Sequence, residues 1–168
     1  MPAPESWGNP RSKTVTWYDP LAAAKVGTEL SGLDHLRAIA DGELPPPPIA
    51  LLMGLRLVSA EKGRVAFACE PDESVYNPIG LVHGGLVCTM LDSVVGCAVQ
   101  SLLPADTGYT SIEIKVNYLR PVHAGSELLA TGWVTKPGRR VSFAEGDVRD
   151  AEGKVVATAS STCLIMGD

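Results

Sequence analysis

The sequence predicts an α+β domain in which one antiparallel sheet of six strands wraps around a single long helix. The first observation is the segment 84–103, which begins with glycine and is apolar on nearly every face, as a buried helix is. The second is a set of strand candidates with turn signals between them, two before this helix and four after it. Because no further helix interrupts the last four, successive strands can pair antiparallel around the helix.

The chain divides by composition into an N-terminal extension, residues 1–45, and a main domain, residues 46–168. Residues 1–30 contain four prolines and no sustained hydrophobic period, which is typical of an irregular arm. A short helix is predicted over 32–41, with Ser31 as its N-cap, and the proline run that follows ends it. The aromatic residues of the arm predict that part of it packs, since buried aromatic side chains contribute large apolar areas: Trp7, Trp17 and Tyr18.

Six strands are predicted in the main domain, over residues 49–59, 64–70, 108–119, 126–136, 140–149 and 154–166. In the third strand, Ile112, Ile114 and Val116 alternate with polar residues, which indicates a strand with one covered face. Gly63 suits a hairpin turn between the first two strands. Pro-Gly and Ala-Glu-Gly turns separate the last three.

Composition limits the function classes. The formal net charge of -5 and the pI near 5.2 leave no basic surface for the phosphates of a nucleic acid. Residues 86–103 approach the length of a bilayer span, but Asp92 and Gln100 interrupt them, which favours a core helix. The first fourteen residues lack the apolar stretch of a secretory signal. We therefore expect a cytoplasmic protein that binds neither nucleic acid nor membranes.

The four cysteines lie in apolar segments, with no CxxC pair and no metal-like grouping with the histidines: Cys69, Cys88, Cys97 and Cys163. Free buried thiols in a reducing compartment are the prediction. The sequence therefore predicts neither a metal site nor a cofactor.

One charged residue lies in the most apolar part of the chain. Between Glu73 and Asp106 lie thirty-two residues, and Asp92 is the only Asp, Glu, Lys or Arg among them. Its neighbours one helical turn away carry no positive charge, so burial of its carboxylate would cost several kcal/mol. Two interpretations stay open. Asp92 caps a turn or hydrogen-bonds backbone groups of a neighbouring segment, or it faces a cleft and acts there as a base or nucleophile.

The segment before the helix, 77–85, reads Asn-Pro-Ile-Gly-Leu-Val-His-Gly-Gly. Amide groups near Gly84, at the positive end of the helix dipole, are suited to stabilise the oxyanion that forms when a thioester carbonyl is attacked. Gly84 and Gly85 would let a substrate approach the backbone closely. The alternative is a tight turn with His83 as an ordinary helix-entry residue. The combination with an isolated acid two and a half turns later favours a catalytic site.

These residues resemble the phenylacetic-acid-pathway type of hotdog-fold thioesterase. The pattern of that family is an asparagine, then His-Gly-Gly six residues on, then an aspartate nine past the histidine, and Asn77, His83 and Asp92 keep both spacings. The segment 115–122, Lys-Val-Asn-Tyr-Leu-Arg-Pro-Val, is also similar to a strand of the family that ends in Arg-Pro-Val. The resemblance covers roughly Pro46 to Met166, so the first forty-five residues depart from the minimal family domain.

The resemblance implies a hotdog fold that hydrolyses a small aryl- or short- to medium-chain acyl-CoA without a metal. It also implies a homodimer whose active sites are shared between two chains, and further assembly into a homotetramer. In such a site Asp92 of one subunit acts as general base or nucleophile. Gly84 and Asn77 of the partner subunit polarise the thioester oxygen, and His83 orients their turn.

Further candidates come from the same resemblance and from the charge of CoA. Ser111 matches a family hydroxyl that helps to position the attacking water, and the adjacent Thr110 takes that place if the register shifts by one residue. The CoA phosphates require cations, for which the sequence offers Arg120, Lys136, Arg139 and Arg140 near strand ends. The alternative for these four is that they are solvated turn charges.

Two other functions remain. A hotdog hydratase or dehydratase pairs an aspartate with a histidine, but His83 precedes Asp92, opposite to the usual order, and His123 has no evident acidic partner. A non-catalytic acyl-CoA-binding module is the alternative from a different class. The presence of Asp92, Asn77 and Ser111 together favours hydrolysis over both.

Overall fold

A computed structural model describes residues 4–167 of the chain. The helices in this range are α1 (Pro20–Thr28), α2 (Gly32–Ala40), α3 (Pro48–Met53) and α4 (Gly84–Gln100), with short 3-10 turns at Glu5–Trp7 and Glu73–Val75. The strands are β1 (Leu55–Glu61), β2 (Arg64–Cys69), β3 (Gly108–Tyr118), β4 (Leu128–Lys136), β5 (Val141–Asp150) and β6 (Val155–Met166).

The six strands form one antiparallel sheet in the order β1-β2-β4-β5-β6-β3. Helix α4 packs against this sheet and contacts all six strands. The predicted hotdog fold, with an antiparallel sheet around a central helix, is therefore confirmed. Five of the six strands lie within two residues of the predicted bounds.

Helix α4 supplies the centre of the core. The side chains of Met90, Leu91, Val94 and Val95 are fully buried. The backbone of α4 approaches the sheet where Gly132 of β4 pairs with Gly146 of β5. A Cβ atom at Gly132 would lie 2.3 Å from the carbonyl oxygen of Val94, so only glycine permits this approach. The interpretation of residues 86–103 as a core helix is confirmed by the burial of α4. Within residues 4–167, no helix is long and apolar enough to cross a membrane.

The strand predicted over 49–59 is wrong in its first half, because residues 48–53 form α3 and β1 begins at Leu55. A continuous apolar run does not distinguish a short helix from a buried strand by its period. A proline at the first helical position and a glycine in the left-handed conformation after the last helical position favour the helix. Pro48 and Gly54, with φ 69°, occupy these two positions.

The arm predicted to be irregular over residues 1–30 contains α1. Asp19 caps this helix by accepting a hydrogen bond of 2.9 Å from the amide of Leu21, and Pro20 fixes its first turn. The predicted cap of α2 is confirmed, because the Ser31 hydroxyl accepts a hydrogen bond from the amide of Asp34 at 3.2 Å. Part of the arm packs, as expected, because α1 contacts α2 and buries Gly27, but the aromatic side chains do not supply this packing. In the single chain Trp7, Trp17 and Tyr18 are 76%, 54% and 74% exposed.

Candidate active site

Asp92 lies in the middle of α4 and its carboxylate faces outward from the core. Its Oδ1 atom accepts a hydrogen bond of 2.8 Å from the hydroxyl of Ser111 on β3. A β-bulge at Ile112 follows Ser111 directly, and bulges re-aim neighbouring side chains. Of the two hydroxyl candidates, Ser111 is thus the one that bonds to the carboxylate. Thr110 is exposed and lies beside the same cavity.

The carboxylate opens into a cavity of about 620 Å³. Ligand pockets commonly have volumes of roughly 300–1,000 Å³. Asp92, Ser111 and Thr110 lie at its wall, and most of the remaining lining is apolar. No backbone group within residues 4–167 donates a hydrogen bond to Asp92. Of the two interpretations of Asp92, the geometry therefore matches a carboxylate that faces a cleft.

The turn before α4 is held by its own side chains. Asn77 accepts hydrogen bonds through Oδ1 from the amides of Ile79 and Leu81, both at 3.1 Å. The side-chain NH₂ group of Asn77 therefore remains available to donate a hydrogen bond to a bound ligand. His83 accepts a 2.8 Å hydrogen bond through Nδ1 from the amide of Gly85, which fixes the ring at the helix start. The amide of Gly84 has no acceptor in the described part of the chain.

Tyr118, the last residue of β3, contacts this turn and was not selected as a site residue from the sequence. Its hydroxyl donates a 3.0 Å hydrogen bond to the carbonyl oxygen of Gly84. A Cβ atom at Gly84 would lie 3.1 Å from the Tyr118 ring, so the glycine keeps the ring and the helix start in contact. The residue stands inside the Lys-Val-Asn-Tyr-Leu-Arg-Pro-Val segment, but nothing in that pattern shows that its ring reaches the helix start.

The predicted site residues of one chain fall into two separate places. Asn77 and Gly84 line a second cavity, of about 430 Å³, together with Arg120. Asp92 and Ser111 line the first cavity. Eight residues of α4 separate Gly84 from Asp92, a rise of about 12 Å. A single chain therefore does not bring its candidate oxyanion donors within hydrogen-bond reach of a group bonded to its carboxylate.

The four candidate cations are divided in the same way. Arg120 lies past the end of β3 and its guanidinium donates to the carbonyl oxygen of Val155. Lys136, the last residue of β4, and Arg139 and Arg140, on the turn between β4 and β5, are exposed. That turn is at the end of the sheet that holds Ser111, because Ser111 pairs with Cys163 and Cys163 pairs with Ser142. The structure does not bring all four cations together in one chain.

The chain is similar to known proteins in sequence and in fold. The family model described as "Thioesterase superfamily" matches residues 79–157. Human acyl-coenzyme A thioesterase 13 is 31% identical over 111 residues, which cover 64% of this chain and 77% of the human protein. The chain belongs to the thioesterase superfamily. It is accordingly a thioester hydrolase.

Solved structures agree with this family. A phenylacetic acid degradation-related protein from Ralstonia eutropha JMP134 superposes with a TM-score of 0.71 at 28% identity, over 77% of this chain and 98% of that one. The protein smu.793 from Streptococcus mutans UA159, solved with acetyl CoA bound, has a TM-score of 0.63 at 27% identity. That similarity covers 68% of this chain and 90% of the other. The resemblance to phenylacetic-acid-pathway thioesterases is confirmed.

The cysteines of this thioesterase are free in the described chain, as predicted; Cys69 and Cys163 are buried, whereas Cys88 and Cys97 are partly buried. Cys97 lines the cavity next to Asp92. Burial raises the pKa of Cys97 to about 12, so its thiol stays protonated at neutral pH. Because the thiolate is the nucleophilic form, Cys97 is not a competitor of Asp92 for attack on a thioester.

The sequence analysis missed several residues that line the cavity of Asp92, including His35, Ser93, Gln100 and Tyr109. Only the residue spacing within α4 could have indicated any of these residues from the sequence. Gln100 follows Ser93 by seven residues, two helical turns, which puts both on one face. The others come from α2 and β3, and no spacing in the sequence relates those elements to Asp92.

Proposed function

We propose that this thioesterase hydrolyses acyl-CoA, with Asp92 as general base or nucleophile. The observation that carries the proposal is the carboxylate of Asp92, which bonds to Ser111 at the wall of a largely apolar cavity. A carboxylate beside such a cavity can reach the carbonyl carbon of a bound acyl thioester. The choice of CoA as carrier is supported by the human relative and by the acetyl CoA bound to the Streptococcus mutans protein.

As a general base, Asp92 takes a proton from water while the water oxygen bonds to the thioester carbonyl carbon. As a nucleophile, its Oδ atom attacks the carbon directly, and water then cleaves the resulting anhydride. Either route forms an oxyanion on the thioester oxygen. The oxyanion collapses, the C–S bond breaks, and the CoA thiolate leaves and takes up a proton. Ser111 holds the carboxylate through its hydroxyl, which in this proposal also helps to position the attacking water.

The oxyanion donors come from the partner subunit in our proposal. Strand β3 is an edge of the sheet, with β6 on one side only. Near the start of β3, the Ser111 hydroxyl bonds to the Asp92 carboxylate. At the end of β3, the Tyr118 hydroxyl bonds to the carbonyl oxygen of Gly84. If two β3 strands pair antiparallel around a two-fold axis between residues 111 and 118, the end of one strand lies beside the start of the other. Gly84 and Asn77 of the partner subunit then approach Asp92.

The same pairing moves Arg120 of the partner subunit toward the end of the sheet that carries Lys136, Arg139 and Arg140. In the dimer these cations can serve one CoA, with the phosphates near the 136–140 turn. Two such dimers form the homotetramer that we propose. Free cysteine thiols fit a reducing, cytoplasmic location.

The hydratase alternative gains no support from the geometry. His83 caps α4 by accepting a hydrogen bond from the amide of Gly85 through Nδ1, so its ring holds the start of the helix. His123 is exposed and outside the cavity that contains Asp92. The imidazole that does line this cavity, His35, is engaged with Gln100.

The test is free-thiol release from a panel of aryl- and alkyl-CoA thioesters by the wild type and by Asp92→Asn. The substitution keeps the shape of the side chain and removes the base, so we expect kcat to fall by about 10²- to 10⁴-fold with little change in KM. Glu113→Gln is the matched control, because Glu113 is an exposed carboxylate on the same strand as Ser111. It should retain activity.

A wild type that binds acyl-CoA but releases no thiol would favour a binding module. Equal turnover by Asp92→Asn and the wild type would remove Asp92 from the mechanism. In either case the proposal in its present form is wrong.

A further inference from the structure

We propose that the N-terminal segment 18–50 forms the far wall of the acyl pocket, and that it selects uncharged, elongated acyl groups. This inference rests on the proposed function and names its substrate class. The cavity that begins at Asp92 is bounded by residues of α1, α2, α3 and the proline run. The segment lies outside residues 79–157, which match the family model. The determinant of acyl size would thus lie in the part of the chain that the family pattern does not cover.

The shape of the cavity follows α4. Asp92, Ser93, Cys97 and Gln100 all line it, so it extends along the helix for about 12 Å from the carboxylate. The opposite wall is apolar and includes Ala24 of α1 and Ile39 of α2. This length suits an aromatic ring on a short linker or a medium-length alkyl chain. An acetyl group would fill only the part next to Asp92.

The extension is fixed to the domain at the far end of this cavity. The amide of Gly32 donates a 3.0 Å hydrogen bond to the carbonyl oxygen of Leu103. A Cβ atom at Gly32 would lie 1.9 Å from the carbonyl oxygen of Gln100, so α2 begins in close contact with the end of α4. The side chains of Gln100 and His35 bond at 3.1 Å across the same junction. These contacts make the wall part of the folded domain.

The charge of the lining sets a second restriction. Among the described residues that line the cavity, Asp92 is the only acidic or basic side chain apart from the imidazole of His35. Burial lowers the pKa of His35, which favours the neutral ring. The described lining therefore offers no cation that could pair with a carboxylate on the acyl group, and burial of an unpaired charge is costly. The cavity should reject acyl groups with a second carboxylate, such as succinyl.

The test uses Ala24→Leu and the matched control Ala22→Leu. Both alanines are exposed residues of α1, and leucine is compatible with the helix, but only Ala24 lines the cavity. We expect Ala24→Leu to lower kcat/KM for octanoyl-CoA and phenylacetyl-CoA by about tenfold or more, with acetyl-CoA nearly unaffected. Ala22→Leu should leave all three unchanged. The wild type should turn over succinyl-CoA at least about tenfold less efficiently than octanoyl-CoA.

Binding of a non-hydrolysable octyl-CoA thioether, measured by calorimetry, separates this inference from the proposed function. If the wild type hydrolyses none of the thioesters, the proposed function fails. The pocket is still supported in that case if Ala24→Leu binds the thioether more weakly than the wild type and Ala22→Leu does not. The inference is overturned by equal thioether binding in all three proteins. It is also overturned if Ala24→Leu lowers turnover of acetyl-CoA and octanoyl-CoA equally, or if succinyl-CoA is as good a substrate as octanoyl-CoA.

Discussion

The contact between Asp92 and Ser111 joins the central helix to an edge strand. A hydrogen bond to a charged acceptor contributes more than one between neutral groups, about 1.5–3 kcal/mol. The bond from the Ser111 hydroxyl at 2.8 Å both orients the carboxylate and leaves its second oxygen for the water or the substrate. The bulge at Ile112 gives Ser111 this direction.

Ser111→Ala should lower kcat by roughly tenfold or more and change KM little, because the carboxylate loses its orientation and the substrate keeps its pocket. Steady-state kinetics with octanoyl-CoA measures the two constants. Thr110→Val is the control, since Thr110 lines the same cavity without bonding to Asp92, and it should keep kcat within about twofold. Ser111→Thr restores a hydroxyl and should recover part of the rate. Equal losses from Ser111→Ala and Thr110→Val would contradict this role.

At the scale of elements, α4 both fills the core and carries the two ends of the site. Its buried face needs Gly132 and Gly146 beneath it, and its exposed face carries Asp92. Helix α2 packs on the end of α4 through His35 and Gln100. A change at this junction should therefore alter the attachment of the extension without moving the core.

The attachment of α2 should weaken in acid. Burial lowers the pKa of His35 below its ordinary value of 6.5, so the unfolded chain takes up the proton first as the pH falls. The contribution of His35 to stability is fully present above pH 6.5. It is lost progressively as the pH falls from 6.5 through the folded pKa.

Urea unfolding of the wild type and His35→Gln between pH 5 and pH 8 measures this effect, with the range set by the ordinary histidine value of 6.5. Glutamine keeps a hydrogen-bonding side chain but does not titrate. The wild type should lose stability relative to the variant below pH 6.5, and parallel pH profiles would show that His35 makes no such contribution.

For the whole molecule, the separation of Asp92 from Asn77 and Gly84 predicts that activity requires a dimer. The two groups line different cavities of one chain. An exposed edge strand also offers unpaired N–H and C=O groups that a second strand can bond. Exposed Ile112, on β3, would be covered by such pairing.

Subunit complementation tests the shared site. Asp92→Asn and Asn77→Ala should each be nearly inactive as homodimers. A mixed dimer holds one site with Asp92 from one chain and Asn77 from the other, so equal amounts co-refolded at random should recover about a quarter of wild-type activity. Mixing without unfolding is the control. Recovery to no more than the sum of the two homodimers would place both residues in one chain's site and contradict the dimer.

Much of the fold could be predicted because its signals are local. The apolar segment that starts at Gly84 has to be buried, and the alternation of Ile112, Ile114 and Val116 marks a strand. Asp19 and Pro20 are also a local signal for the start of α1. Helix α1 was not predicted because residues 1–30 have no sustained hydrophobic period. Helix α3 was missed because a short apolar run has no period that separates helix from strand.

The central helix, the strands after it and the isolated acid Asp92 could all be predicted from sequence alone, because each depends on neighbours within a few residues. The sequence also carried the resemblance through Asn77, His83 and Asp92. The choice of Ser111 over Thr110 as the partner of Asp92 required the folded structure, since one residue of register reverses the direction of a strand side chain. The folded structure alone placed Ala24 at the cavity of Asp92, because that proximity depends on packing between distant segments.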